Sequence, residues 1–427
     1  MRPFRALTYR QHDPEHLARV SSPAYDLVTP DGRERLAAAD PYNIVRLILP
    51  RGDGEGVTDA ADTPGGAPAQ PSADLAAAML RRWTDEGVLE ADDVPALWLY
   101  ELSPAGGLPA TVGWLGAVAL PEAGSAAVLP HEDTYAPAVE GRRALLAATL
   151  TDLEPIVLAH DPDPALPVLV ERARSGAPTL QVADDDGVQH RLWRLTDPGL
   201  VEDVRAALSR TRAVIADGHH RFAAAQAHHR SAPGTTGADA VLALVTSSGP
   251  GGLRVEAIHR VLPDLSLDDA LRAVRSAFAE VVGVPADGLE DAVDAARGWL
   301  TAAPPGSFVI GAGARLVGLR RPTGELAGAV PTEAPPAWRG LDVVLAHHGL
   351  IDEVWNLPDE PESVVIAHDV ATALRTAAER GGTALLLRPP SPGDVAAVAR
   401  AGARMPRKST LFVPKPRTGL VLRPLEG

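Results

Sequence analysis

Residues 215–221, IADGHHR, place two histidines and an arginine directly after an Asp-Gly step, at the end of the apolar run RAVIAD (212–217). The stretch that follows, from His219, has helical character. A helix N-terminus carries partial positive charge and unpaired N–H groups, so acids and anions are favoured there and cations are not. His219, His220 and Arg221 together break that rule. Asp217 could cap the helix, and Gly218 lets a ligand come close to the backbone. A phosphate would complete the balance by accepting hydrogen bonds from the free amides and from Arg221. The competing reading has both histidines neutral and packed, with Arg221 in solvent.

Two further segments carry chemistry-bearing residues. LPHEDTYAPAVEGRR (129–143) offers His131 and Glu132 as a proton-handling pair, Thr134 as a hydrogen-bonding partner and Arg142 as a phosphate-binding cation. MPRKSTLFVPKPRTGL (405–420) gathers Arg407, Lys408, Lys415 and Arg417 with the hydroxyls of Ser409 and Thr410. In an acidic chain, a local basic patch suits a small anion better than a polymer. Other signatures fail. GAGARLVG (311–318) has Leu316 at the third glycine position of a dinucleotide turn, and HEDTY has Tyr135 where a zinc-protease helix needs its second histidine. No histidine spacing supports a metal site.

These segments need elements to hold them. PYNIVRLILP (41–50) reads as a strand, residues 50–74 as a mobile Gly/Pro/Asp-rich loop, and 73–89 as a helix. ALWLYELS and ATVGWLGAVAL form an expected hairpin, while PIVLAH (155–160) and RAVIAD suit buried strands. Residues 266–282 read as a helix. Further on, SFVIGAGARLVGLRR reads as a hairpin, and the C-terminal region alternates strand and helix in a βαβ-type pattern. The expectation is an α+β fold with mixed sheets. Its N-terminal domain spans 1–262 and carries the HEDT and DGHHR segments, and a C-terminal α/β region spans 263–427.

The chain has 427 residues, 40 Lys and Arg against 55 Asp and Glu, and a formal net charge of −15, which disfavours nucleic acid. It contains no cysteine, which excludes disulfides, thiolate nucleophiles and cysteine-bound metals within these residues. No apolar run reaches the roughly 20 residues of a bilayer span, and the first residues lack the apolar centre of a signal peptide. The expectation is a cytoplasmic protein that does not enter membranes; its oligomeric state is left open.

SSPAYDLV (21–28), PHEDT with Arg142, VIADGHHRFAAA and the 405–420 segment resemble, in that order, the signature segments of the family called domain of unknown function 1015. The chain departs from the usual family pattern at Ala24, Pro130, Ala138 and Gly141, which gives phosphate binding more weight than catalysis for the HEDT segment. The strand-DGHHR-helix element also resembles the phosphate-handling element of the ParB and sulfiredoxin-like superfamily, which includes free-serine kinases.

The resemblance implies a phosphotransferase or phosphate-ester enzyme acting on a small hydroxylated metabolite such as serine, with ATP or ADP and Mg2+ as cofactors. Glu132, Asp217, His219 and His220 take the catalytic roles. His131, Thr134, Arg142, Gly218, Arg221, Lys408, Ser409, Thr410 and Lys415 take the substrate and phosphate contacts. The alternatives are a ParB-like nucleic-acid-associated regulator and a non-catalytic protein that binds a phosphorylated metabolite.

Overall fold

A computed structural model describes residues 1–51, 70–122, 124–249, 251–358, 360, 362–406 and 408–425. Most of the expected mobile loop, residues 52–69, lies outside the described residues, as does Arg407. The chain forms an α+β structure of two compact units, Met1–Leu253 with Pro414–Gly427, and Arg254–Val413. The sequence reading divided the chain after 262 and carried the second region to the end. In the structure the last residues instead join the first unit, where Arg423 and Pro424 pair with Asp152 and Thr151.

The first unit is built on an eight-stranded mixed sheet. Its strands in chain order are β1 (Leu97–Ser103), β2 (Thr111–Ala119), β3 (Val128–Leu129), β4 (Ile156–His160), β5 (Leu180–Ala183), β6 (Gln189–Leu195), β7 (Ala213–Asp217) and β8 (Ala240–Ser247). Their spatial order is β3-β7-β4-β8-β2-β1-β6-β5. Successive side chains on a strand point to opposite faces, and the central strands feed a separate core on each face. Trp98, Leu115, Leu242 and Leu244 pack into one core, while Leu97, Leu99, Trp114, Val241, Ala243 and Val245 pack into the other. Burial on both faces explains why these strands read as nearly continuous apolar runs. β1 and β2 form the expected hairpin, with Trp98 opposite Leu115.

β7 positions the site. It runs parallel to β3 and antiparallel to β4. The chain therefore leaves β7 at Asp217 and leaves β3 toward His131 on the same edge of the sheet. Because β4 is antiparallel, its entry through Glu154 and Pro155 lies at that edge as well. Helices α1 (Gln70–Asp85), α2 (Ala136–Thr149) and α3 (His219–Ser231) follow.

PYNIVRLILP is not a strand, because Val45–Ile48 forms one short helix. The Asn43 side chain accepts from the Val45 amide at 2.9 Å and donates to the carbonyls of Arg19 and Ser21, which fixes a helical turn that apolar patterning cannot reveal.

The second unit contains a six-stranded sheet. The helix expected across 266–282 ends at Val274, and Phe278–Val284 is a strand paired with Arg315–Pro322. Pairing with a long partner strand outweighs local helical spacing here, and Val281, Val282 and Val284 are β-branched residues that suit the pleat. The 308–322 hairpin forms as expected. Strands Val365–Ala367 and Thr383–Leu386, joined by helix Val370–Arg380, both run antiparallel to His259–Leu262. They are therefore parallel to each other with one strand between them, a split form of the expected βαβ unit. Leu411–Val413 pairs with Arg254–Glu256 outside that sheet.

Candidate functional site

Gly218 precedes α3 with φ 90°, a left-handed conformation that favours glycine, and a Cβ there would meet Ile156 Cγ2 at 2.8 Å. No side chain caps this helix. The expected capping role of Asp217 is therefore corrected: its carboxylate is drawn to cations. Lys415 Nζ donates to Asp217 Oδ1 at 2.7 Å and also to Asp26, while Arg221 Nη2 donates to Asp217 Oδ2 at 2.5 Å. Arg221 Nη1 donates to the Pro155 carbonyl at 2.8 Å and lies 4.0 Å from Glu154. Glu154 in turn accepts from the Tyr25 amide at 3.1 Å and the Thr418 hydroxyl at 2.9 Å.

Charge explains how these groups coexist in a mostly buried place. Burial alone would raise the Asp217 carboxyl, but Lys415 and Arg221 outweigh it and hold the group well below the usual carboxylate range. Burial would likewise lower Lys415, yet Asp217 and Asp26 push it above the usual lysine value. Arg221 is raised in the same manner by Glu154 and Asp217 against the effect of burial. All three groups are ionised: Asp217 stabilises both cations and is stabilised by each of them.

The histidines are not extra cations. The His131 amide donates to His219 Nε2 at 3.3 Å, and the two rings meet edge to face with centroids 4.6 Å apart. Burial first, and then His131, push His219 down to about 3. The Tyr135 amide donates to His220 Nε2 at 3.1 Å. In both residues a ring nitrogen works as an acceptor near the helix start, which removes most of the conflict with the dipole. Glu132, half-buried, places its carboxylate oxygens 3.7 Å from His131 Nε2 and 3.9 Å from His219 Nδ1.

A pH effect follows from His219. Its folded-state value of about 3 lies below the ordinary 6.5, so the unfolded chain binds a proton that the folded chain refuses between those limits. Stability therefore falls as pH drops from 6.5 toward 3, by about 2 kcal/mol between pH 7 and pH 5 for this group alone. His219→Gln, which keeps an acceptor but cannot titrate, is expected to flatten that part of the profile in urea unfolding. An unchanged slope would mean that His219 is not held neutral.

The Arg142 guanidinium lies 3.7 Å over the Tyr25 ring and donates from Nη1 to the Ile48 carbonyl at 2.9 Å. Its Nε and Nη2, and the Nε of Arg221, are buried without an acceptor among the described residues. Arg142, Thr151, Asp152, Glu154, Arg221 and Ala224 line a cavity of about 40 Å³. Lys408, Ser409 and Thr410 belong to the second unit. There the Lys408 carbonyl accepts from Arg260 at 3.0 Å and Ser409 donates to the Pro406 carbonyl at 2.5 Å. The first unit thus gathers His131, Glu132, Arg142, Asp217, Gly218, His219, His220, Arg221 and Lys415, with Thr134 exposed on the same loop.

Sequence reasoning did not single out Asp26, Glu154 or Tyr25. The only available signal for Glu154 was an acid beside Asp152 at the entrance to an apolar strand. Among the described residues, no cluster of three ligand-type side chains could hold a metal ion, and no helix is long and apolar enough to cross a membrane.

The fold and site define an α+β protein with a buried, strongly coupled charge cluster at one sheet edge. The chain belongs to the family described as protein of unknown function DUF1015, whose model matches residues 1–344. No curated protein matches it. Among solved structures, a conserved hypothetical protein from Pyrococcus furiosus is 15% identical, with 70% of this chain and 93% of that chain covered and a TM-score of 0.30. A free serine kinase in complex with AMP is 14% identical, with 73% and 92% covered and a TM-score of 0.32. SbnI with a C-terminal truncation, from Staphylococcus aureus, is 13% identical, with 73% and 88% covered and a TM-score of 0.36. Likenesses this distant transfer neither activity nor ligand to this chain.

Proposed function

We propose that this protein is a phosphotransferase that moves a phosphoryl group between a nucleotide, ATP or ADP, and a small hydroxylated metabolite such as serine. One observation carries the reading. Glu132, bracketed by His131 and His219, leaves the sheet at the same edge as the Asp217–Lys415–Arg221 cluster, so a proton acceptor and phosphate-neutralising cations share one site. Phosphoryl transfer asks mainly for such positioning and charge neutralisation.

In this reading Glu132 takes the proton of the attacking hydroxyl. Its oxygen bonds to the transferred phosphorus, and the bond from that phosphorus to the leaving phosphate oxygen breaks. Arg221, His220 and the first amides of α3, after Gly218, orient the transferring group, and Thr134 and Arg142 orient the acceptor. Lys415 holds Asp217. Mg2+, when bound with the nucleotide, neutralises phosphate charge. Such an ion commonly needs only one or two carboxylates beside the phosphates, and the exposed Asp26 would supply one. The prior pairing of Lys415 and Arg221 with Asp217 favours a second reading, a metabolite binder without catalysis.

Isothermal titration with ATP, ADP and phosphoserine tests the proposal. Wild type is expected to bind nucleotide, and Arg221→Lys to weaken that binding about tenfold, because lysine cannot hold Asp217 and the Pro155 carbonyl together beside the start of α3. Absence of heat from any of the three ligands in folded wild type would overturn the binding site. Nucleotide binding without transfer to serine, followed by phosphorus NMR, would favour the non-catalytic reading.

A further inference from the structure

We infer that the cavity between Arg142 and Arg221 is a recognition site for a small carboxylate. Arg142 is 5% exposed, and its Nε and Nη2 find no acceptor among the described residues. These two nitrogens form the side edge of the guanidinium, whose parallel N–H bonds match the two oxygens of a carboxylate. The remaining contacts of Arg142 fix the direction of that edge. Nη1 is tied to the Ile48 carbonyl, and one face of the group is stacked on Tyr25. A third buried donor, Arg221 Nε, belongs to the other arginine of the same lining. A buried donor left without an acceptor loses the hydrogen bond it had in water, so the arrangement is completed by a guest that accepts.

The charge of the lining selects among acceptors. Asp152 and Glu154 also face the cavity, but each already has donors within the protein. Asp152 bonds the Leu242 amide at 2.8 Å and pairs with Arg423, and Glu154 bonds Tyr25 and Thr418. They do not compete for the Arg142 edge, and together with Asp217 they balance Arg142, Arg221 and Arg423. A carboxylate adds one negative charge to this balanced wall, whereas a phosphate dianion adds nearly two against two fixed acids. The cavity of about 40 Å³ holds a head group, with the remainder of the molecule extending outward.

This deepens the reading above and rests on it for the bound molecule's role as the phosphoryl acceptor. Binding itself is measured without nucleotide, so the two ideas fail separately. Thermal unfolding and calorimetric titration of the full chain with sodium formate and sodium acetate are compared with sodium phosphate at matched ionic strength. Formate and acetate are expected to bind saturably, and phosphate to displace bound acetate at least tenfold more weakly than formate does. Arg142→Lys should weaken carboxylate binding tenfold or more. Ala224→Leu, which fills the cavity without altering a charge, should abolish it. No saturable carboxylate binding by folded wild type, or displacement of bound acetate by phosphate as readily as by formate, would overturn the proposal. So would unchanged binding in either folded variant, and the wild-type comparison decides the matter if neither variant folds. Carboxylate binding with no phosphoryl transfer under any condition would remove only the proposed activity.

Discussion

Glu132→Gln is expected to lower phosphoryl transfer by about 10²–10⁴-fold, the usual contribution of a positioned general base, while nucleotide affinity stays within about twofold. The substitution keeps size and hydrogen-bonding capacity but removes the proton acceptor. Glu132 is suited to the role because its carboxylate is half-buried, reachable by a ligand, and placed between His131 Nε2 and His219 Nδ1 at 3.7 and 3.9 Å. Those rings flank the carboxylate. The loss should therefore fall on kcat rather than on KM for the nucleotide. A variant with unchanged kcat would exclude Glu132 as the base, and one that lost nucleotide binding would show that it holds the donor instead.

Asp217→Asn is expected to be the most destabilising single change at the site, by about 3–5 kcal/mol, the range for removing one partner of a buried ion pair. The substitution strips the shared anion from two buried cations. Lys415 would keep Asp26, and Arg221 would keep the more distant Glu154, the Pro155 carbonyl and the face of the Tyr25 ring. The sign of the pH dependence follows from the depressed folded-state value of Asp217. Its contribution is fully present above about pH 4, the ordinary carboxylate value, and is lost as pH falls through the folded-state value. The stability gap between wild type and Asp217→Asn should therefore be constant from pH 5 to 8 and should narrow below about pH 4. Urea unfolding across that range measures it, and a gap below 1 kcal/mol at neutral pH would show that the cluster is solvated.

The legible parts of the molecule were those that depend on neighbours in sequence. The hairpin of β1 and β2, the strand-Asp-Gly-helix step and the 308–322 hairpin all follow from short-range patterning and turn chemistry. Where the reading failed, a longer-range term decided. Residues 45–48 fold as a helical turn because Asn43 ties the first amide of the turn to the carbonyls of Arg19 and Ser21, and 278–284 pairs as a strand because a partner lies some forty residues away.

The same division holds within the site. The sequence by itself determined that a glycine must precede α3, that cations and histidines crowd its first turn, and that no thiol chemistry is available. Only the tertiary structure decided the electrostatic outcome. It brings Lys415 to Asp217 across 198 residues, seats Glu154 beside Arg221, and leaves the edge of Arg142 facing a cavity. The physical reason is range. Turn and helix-start preferences are set within a few residues, whereas the charge state of a buried group is the sum over every partner that folding brings within a few ångströms.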